Sequence, residues 1–373
     1  MARFSLVFLR AAGCCGPLVI LGMLGCSSDE SSAEPLSIAW VSKGKCNSFF
    51  DASAFGARLA GVELGKESEG VAQVELLEPD DCTENPAVPE GTPEECLAFG
   101  PQMAAVQEAL DREFSALAIS VSNAGCVSPY IDRAVDQGMT VITFDSDAPE
   151  SKRHSYYGMD NRAAGRFVVA RLARMLEEGG KVAIQTAMVQ DEDGVYQLSR
   201  STSYVERMAG VEEGLAEHPS LTLVDTVPCQ GNDPLDPMCA AEVEALLEDH
   251  PDLAGLILSR GKVLRELDLD QHAPSFAAAV QSEALRVVGF DVPGDALDNI
   301  ASGYAQLVVA QKQFAWGYDV VHLAYDSLMG ELELPDFYDS GWYLVCPDNV
   351  EQYAEMLSQN DFRGELPDCD VGE

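Results

Sequence analysis

At 373 residues the chain is longer than a single hydrophobic core usually organises, and its length points to two domains of ordinary size. The 62 acidic and 23 basic side chains leave a formal net charge of -39, which argues against a nucleic acid or an anionic lipid surface as partner, because both would be repelled. The hydrophobic fraction of 47% is that of a globular chain with a heavily solvated exterior.

Residues 1–25 carry Arg3 and Arg10, no acid, and an apolar run that ends LVILGMLGC at Cys26. A basic start, a short apolar core and small residues before the cut read as a secretory signal peptide. Met23–Cys26, MLGC, resembles a bacterial lipobox, which makes Cys26 the expected site of lipidation and the first residue of the mature chain. The run SSDESSAEP has no hydrophobic pattern, so residues 26–35 read as a flexible tether. No other segment reaches the ~18 apolar residues of a membrane span.

Eight further cysteines follow: Cys46, Cys82, Cys96, Cys126, Cys229, Cys239, Cys346 and Cys369. An even number in an exported chain, without CxxC spacing or a histidine cluster, favours disulfides and gives no metal site. Cys82 with Cys96 and Cys229 with Cys239 would close local loops. Cys46 with Cys126 would tie two strand-end loops, and Cys346 with Cys369 would pin the tail; spacing leaves the connectivity open.

From Leu36 strands alternate with helices. LSIAWVS, VAQVELLE, SALAIS and VITF read as strands, separated by helices over Phe50–Lys66, Met103–Phe114 and Ser128–Gln137. Residues 79–100, rich in Pro, Glu and Cys, read as an ordered insertion. Beyond Asn161 the scheme repeats, with strands KVAIQT, LTLVDTV, AGLILS, RVVGFD and LVVAQ between helices, then a helix over Phe314–Met329, a last strand WYLVC and a short helix from Asn349. Alternation of this kind implies parallel pairing and right-handed crossovers, hence an α/β fold of two Rossmann-like halves, each a parallel sheet flanked by helices.

The chain is organised around Val141–Arg166, VITFDSDAPESKRHSYYGMDNRAAGR. VITF is an unbroken apolar strand that carries Asp145 to its carboxyl end, where open α/β sheets bind ligands. Asp160 and Asn161 suit the N-cap of the next helix, and Asp160 is read as a cap rather than a ligand contact.

FDSDAP followed by YYGMDNRAAGR resembles the type I periplasmic sugar-binding proteins, the ribose- and galactose-binding group that feeds ABC transporters; the likeness runs from about Leu36 onward. It implies two lobes, residues 36–158 plus 312–341 and residues 159–311 plus 342–373, joined by a hinge that the chain crosses near Met159, Gln311 and Tyr343. It also implies a ligand held by carboxylates, amides and arginine, with aromatic rings over its apolar faces. Carried over position by position, KGKCNSFFDASAFG offers Asn47, Phe49 and Phe50, with a helix cap and core packing as the competing roles of Asn47 and the rings. ISVSNAG offers Ser120, the TF-Asp turn Asp145, YVERMAG the pattern of Arg207 and Gly210, VVGFD Asp291, and LVVAQ the hinge glutamine Gln311.

The sequence departs from the resemblance in two places. Ser146 stands where pentose binders often carry arginine, and Arg260 where asparagine is usual. Lys43, Lys45, Arg207 and Arg260 are among only 23 basic residues and all fall near the expected cleft, so an acidic or phosphorylated sugar is one candidate guest. GxSxG, HExxH, GxxxxGK and GxGxxG are all absent, and His154, His218, His250, His272 and His322 are scattered, so the chain reads as no enzyme and needs no cofactor. The expectation is a monomeric, lipid-anchored protein of the periplasm or cell envelope that captures a sugar or polyol and hands it to an ABC transporter permease. A sensor docking on a receptor kinase or chemoreceptor, and a cell-surface carbohydrate-active enzyme, are the alternatives.

Overall fold

The structure, a computed structural model, describes residues 35–44, 48–79, 96, 100–190, 196–198, 201–229, 238–265, 268–360, 362 and 364–369. The expected signal, Cys26, the tether up to residue 34, Asn47, Cys46, Cys82 and most of the insertion lie outside these residues.

In chain order the first strands are β1 (Leu36–Val41), β2 (Ala72–Leu76), β3 (Ala116–Ile119), β4 (Thr140–Phe144) and β5 (Ser155–Gly158). Next come β6 (Gly180–Thr186), the antiparallel pair β7 (Met188–Gln190) and β8 (Tyr196–Leu198), β9 (Leu221–Pro228), β10 (Leu253–Leu258), β11 (Arg286–Phe290) and β12 (Leu307–Gln311). The last are β13 (Phe337–Asp339) and β14 (Trp342–Val345). One six-stranded sheet has the order β13-β5-β4-β3-β1-β2 and is parallel throughout. The other has the order β14-β12-β11-β10-β6-β9, parallel except where β14 pairs antiparallel with β12.

The inner strands β1, β3, β4, β6, β10 and β11 are apolar over most of their length without alternation because helices cover both faces of each sheet. Along β1, Ile38 and Trp40 turn toward Phe144, Trp316 and Val320, whereas Ala39 and Val41 turn toward Leu117, Ile119, Val127 and Ile131. The second sheet divides likewise. Val182, Ile184 and Ile257 meet the helices Asn161–Met175 and Thr202–Glu217, and Ala183, Leu256 and Leu258 meet Met238–Asp249 and Pro274–Gln281. Each fully buried aliphatic or aromatic side chain contributes about 1.5–3 kcal/mol, so these four faces hold the sheets together.

In each sheet the opening strand lies inside, β1 between β2 and β3, and β6 between β9 and β10. The winding direction reverses beside it, and that reversal opens a crevice at the strand carboxyl ends. The chain moves from the first sheet to the second after Gly158. It returns after Gln311, since Trp316 and Val320 of the helix Gln313–Leu328 pack in the first sheet's core, and crosses again between β13 and β14.

Some local readings are corrected. The helix expected at Ser128 begins at Ala124, because the Asn123 side chain accepts the Cys126 N–H (3.0 Å) and caps it, with Pro129 inside. β5 and β13 were not read from the sequence. Both are short, and β13 is exposed along its length, so neither carries an apolar run. The connectivity also changes, since Cys96 is bonded to Cys126 rather than to Cys82, and Cys126 is therefore not joined to Cys46. Cys229 is bonded to Cys239 and Cys346 to Cys369.

His154 stitches the loop before β5 to β4. Its N–H donates to the Val141 carbonyl (2.8 Å), and the Val141 N–H donates to imidazole Nδ1 (3.0 Å). Burial lowers the imidazole pKa, because the charged form is disfavoured away from water. With a folded-state value below the unfolded one, the stabilisation is present above about pH 6.5 and is lost as pH falls through the folded value. The melting temperature of the wild type is therefore expected to fall further between about pH 7.5 and about pH 5 than that of His154→Asn, whose amide oxygen keeps the acceptor without titrating. Equal falls in the two proteins would show that the imidazole is not the source.

Candidate ligand-binding site

Each sheet ends its fourth strand in chain order, β4 or β11, on a buried phenylalanine followed by aspartate: Phe144 and Asp145 in the first, Phe290 and Asp291 in the second. Both aspartates adopt left-handed backbone, at φ 60° and 68°. That conformation costs a residue with a Cβ about 1–2 kcal/mol, least for Asp and Asn, and its occurrence at both strand ends marks constrained turns.

Around Asp145, which is only 5% exposed, three donors converge on Oδ2. They are Ser120 Oγ at 2.7 Å, Lys43 Nζ at 2.9 Å and Ser146 Oγ at 3.3 Å. Lys43 also donates to Ser146 Oγ (2.6 Å). Tyr156 Oη donates to the Asp145 carbonyl (2.8 Å), and its ring stacks on Phe337 with centroids 5.6 Å apart.

Around Asp291 the second cluster is built on Arg207, whose residue exposure is 1%. The guanidinium donates to Asn161 Oδ1 (3.2 Å), the Ser259 carbonyl (2.5 Å) and Asp291 Oδ2 (3.2 Å), and lies 4.3 Å from the Phe290 ring centroid. Gln311 Nε2 donates to Asp291 Oδ1 (2.8 Å). Gln311 Oε1 is buried and has no hydrogen-bond partner among the described residues, so an acceptor stands ready for a donor. Glycine explains the Arg207 pattern. A Cβ on Gly210 would lie 2.1 Å from the Arg162 carbonyl, and one on Gly165 2.4 Å from the Arg207 carbonyl, so these residues let the two helices approach closely enough for Arg207 to reach Asn161.

The turn that carries Asp145 meets the start of the helix that carries Arg207: Ser146 Oγ lies 3.3 Å from Ser203 Oγ, and the Asp147 N–H donates to Thr202 Oγ1 (3.0 Å). Burial first, then the fields of Asp145 and Asp147, push the Tyr156 phenol well above its ordinary pKa, while Arg207 and Arg153 pull it back. Groups of both sheets therefore act on a single hydroxyl. A carboxylate accepts hydroxyl protons, a guanidinium donates in a fork and a glutamine can do either, which together suit a guest with several neighbouring hydroxyls. A separate pocket of about 540 Å³, bordered by Lys312, Trp342, Tyr343, Phe362 and Leu366, contains neither strand-end carboxylate, and the converging polar groups lie elsewhere.

Of the residues singled out from the sequence, Ser120 and Asp145 lie in the first cluster, and Arg207, Asp291 and Gln311 in the second. Phe49 is half-buried, edge-on to Phe50 (5.6 Å) and tilted against Trp316 (5.7 Å). Phe50, at 3% exposure, packs with Phe144 and Trp316 in the first sheet's core. Arg260 stands half-buried one residue beyond Ser259, and Asn47 lies outside the described residues. Asp160 caps its helix, accepting the Ala163 N–H at 2.8 Å. The sequence reading missed Asn161 as the partner of Arg207, having read it as a cap. It missed Tyr156 and the Ser259 carbonyl as well, since neither a tyrosine nor a main-chain oxygen carries a local signal of its role.

Two helix-covered, largely parallel sheets, each with a polar cluster at its strand ends and with three chain passages between them, have the architecture of a two-lobed binding protein of the α/β class. A family profile described as a periplasmic binding protein domain matches residues 100–332, and the chain belongs to the periplasmic binding protein family. Among curated proteins it is similar to a D-ribose/D-allose-binding protein of Pseudomonas aeruginosa, 24% identical over 196 residues; the match spans 51% of this chain and only 56% of that relative. Among solved structures it is similar to an ABC transporter solute-binding protein from Burkholderia graminis in complex with D-arabinose, at 26% identity and a TM-score of 0.67, covering 86% of this chain and 98% of that one. A carbohydrate transporter solute-binding protein from Agrobacterium radiobacter, also in complex with D-arabinose, shares the fold at 22% identity and a TM-score of 0.65, covering 87% of this chain and 99% of that one.

Proposed function

We propose that this protein is an extracytoplasmic, lipid-anchored solute-binding protein that captures a sugar or polyol between two lobes and presents it to an ABC transporter permease. The lobes are residues 36–158 plus 312–341 and residues 159–311 plus 342–373, and the three passages between the sheets act as the hinge. The observation that carries this reading is the pair of left-handed strand-end aspartates, one per sheet, each already surrounded by donors. The sugar ligands named for the relatives support the same class of guest.

The electrostatics favour a neutral guest over the acidic or phosphorylated one. Lys43 is neutralised by Asp145 and Arg207 by Asp291, so neither offers an uncompensated charge to an anion. No chemical step is required of these groups; they bind, and closure of the lobes then populates the form a permease recognises.

A thermal-shift and calorimetric panel of D-ribose, D-allose, D-arabinose, D-galactose, polyols, sugar acids and sugar phosphates tests the reading. At about 100 times Kd a true ligand adds about 2.7 kcal/mol, a shift of roughly 5–10 °C, with one-to-one stoichiometry and no product. If no neutral sugar or polyol shifts the transition, the reading fails. If only the acids or phosphates do, the neutral assignment fails.

A further inference from the structure

We propose that Gln102 is the positioning residue of the cluster around Asp145: its buried side-chain amide ties the loop after β1 to the loop after β3 and so aims Lys43 and Ser120 at the carboxylate. The inference rests on the reading of Asp145 as a ligand contact.

Gln102 lies in the first turn of the helix Gly100–Asp111, at the head of the stripe Ala105, Val106 and Ala109 that packs into the first sheet's core. An amide on an apolar stripe is out of pattern unless it has partners, and at 2% exposure this one has three. Nε2 donates to the Ser42 carbonyl (2.9 Å) and to the Ser120 carbonyl (2.7 Å), and Oε1 accepts the Ser122 N–H (2.9 Å). With two carbonyls and one N–H facing it, the amide satisfies all three in one orientation only.

These partners sit where the sheet gives way to loops. The Ser120 N–H still donates to the Val41 carbonyl (3.0 Å) in the manner of a ladder. Beyond that bond the Ser42 and Ser120 carbonyls are taken up by Gln102 instead. Each loop carries one donor to Asp145. Ser120 is held by Gln102 at its carbonyl and reaches Asp145 Oδ2 through its hydroxyl (2.7 Å), while Lys43, the residue after Ser42, reaches the same oxygen at 2.9 Å. The amide thus grips one donor directly and the other through its neighbour.

Without the amide, two buried carbonyls and one N–H lose their partner, and loops that shift to satisfy them carry both donors away from Oδ2. The helix has other anchors. Its apolar face belongs to a core with Ile119, Val127 and Ile131, and Cys96, just before it in the chain, is bonded to Cys126, so the helix stays docked when the amide is replaced.

The test compares wild type with Gln102→Met, an unbranched side chain of similar length without an amide, and with Gln102→Asn, whose shorter stem cannot span both carbonyls. Crystal structures of the sugar-free proteins should show Lys43 Nζ and Ser120 Oγ together on Asp145 Oδ2 in the wild type, and at most one of them there in Gln102→Met. Isothermal titration with the sugar found by the panel, run well below each melting transition, should give a Kd about tenfold higher for Gln102→Met at unchanged one-to-one stoichiometry, with Gln102→Asn between it and the wild type. In a background of Lys43→Met with Ser120→Ala, which leaves no donors to aim, the same change should cost less than about threefold. A merely structural amide would lower the melting temperature and leave Kd in place. Should Gln102→Met not fold, Gln102→Asn carries both measurements. Both donors still on Asp145 in the variant crystal, an unchanged Kd, or a loss that persists in full in the donor-free background would overturn the proposal. The crystallographic arm needs no sugar, so the positioning role and the assignment of ligand class fail separately.

Discussion

Asp145→Asn is expected to weaken sugar binding by a factor of about 100–1000 while leaving the protein folded. Oδ2 of this carboxylate is shared by Ser120, Lys43 and Ser146, and a guest hydroxyl can donate to Oδ1. In the asparagine variant the amide oxygen can satisfy the three internal donors only by turning its NH2 toward the guest, which replaces the acceptor there by a donor. The hydroxyl bond to a charged acceptor is lost, at about 1.5–3 kcal/mol, and Lys43 keeps its charge without a counter-ion beside it. Together these amount to about 3–4 kcal/mol, and each 1.4 kcal/mol is tenfold in Kd. Isothermal titration of wild type and variant with the same sugar reads the effect directly. A Kd within about threefold of wild type would remove Asp145 from the binding set.

Arg207→Met should cost stability as well as affinity. The guanidinium is almost fully buried and serves Asn161, Ser259 and Asp291 at once. Removing it strands the Asp291 carboxylate, and breaking a buried pair from one side costs about 3–5 kcal/mol, a fall in melting temperature of roughly 10 °C by calorimetry. Arg207→Lys keeps the charge but not the planar fork that reaches three acceptors, so it should recover only part of the loss. The double variant with Asp291→Asn separates the causes. If the stranded charge dominates, Arg207→Met costs at least about 1 kcal/mol less in that background than in the wild type. Additive losses would mean that the arginine's packing and its bonds to Asn161 and Ser259, and not the pairing with Asp291, are what stabilise the second lobe.

The two phenylalanine candidates illustrate why sequence reading loses resolution at a site. Phe49 and Phe50 are adjacent in a short turn, so a strand-like or helical pattern cannot tell which ring faces the core. Trp316, more than 260 positions away, lies against both, and Phe144 packs on Phe50, which is the more deeply buried of the two. Lys43 was visible as a cation near the cleft but not as the partner of Asp145, because that pairing joins the loop after β1 to the loop after β4. The cysteines show the same limit. Spacing offers Cys82 as a local partner for Cys96 and leaves the connectivity open, whereas the capped start of the helix Ala124–Asp136 brings Cys126 to Cys96.

Alternation of unbroken apolar strands with amphipathic helices was enough to establish two helix-covered parallel sheets, because burial on both faces leaves only that composition. Likewise, the phenylalanine-aspartate ends of β4 and β11 were legible, since a strand must stop where its apolar run meets a polar turn. What depended on three dimensions was the company those aspartates keep: which cation neutralises each, and which hydroxyl and amide groups donate to them. Such partners are separated by tens to hundreds of residues and meet only through the winding of the sheets and the close approach of helices at Gly165 and Gly210, which no local pattern encodes.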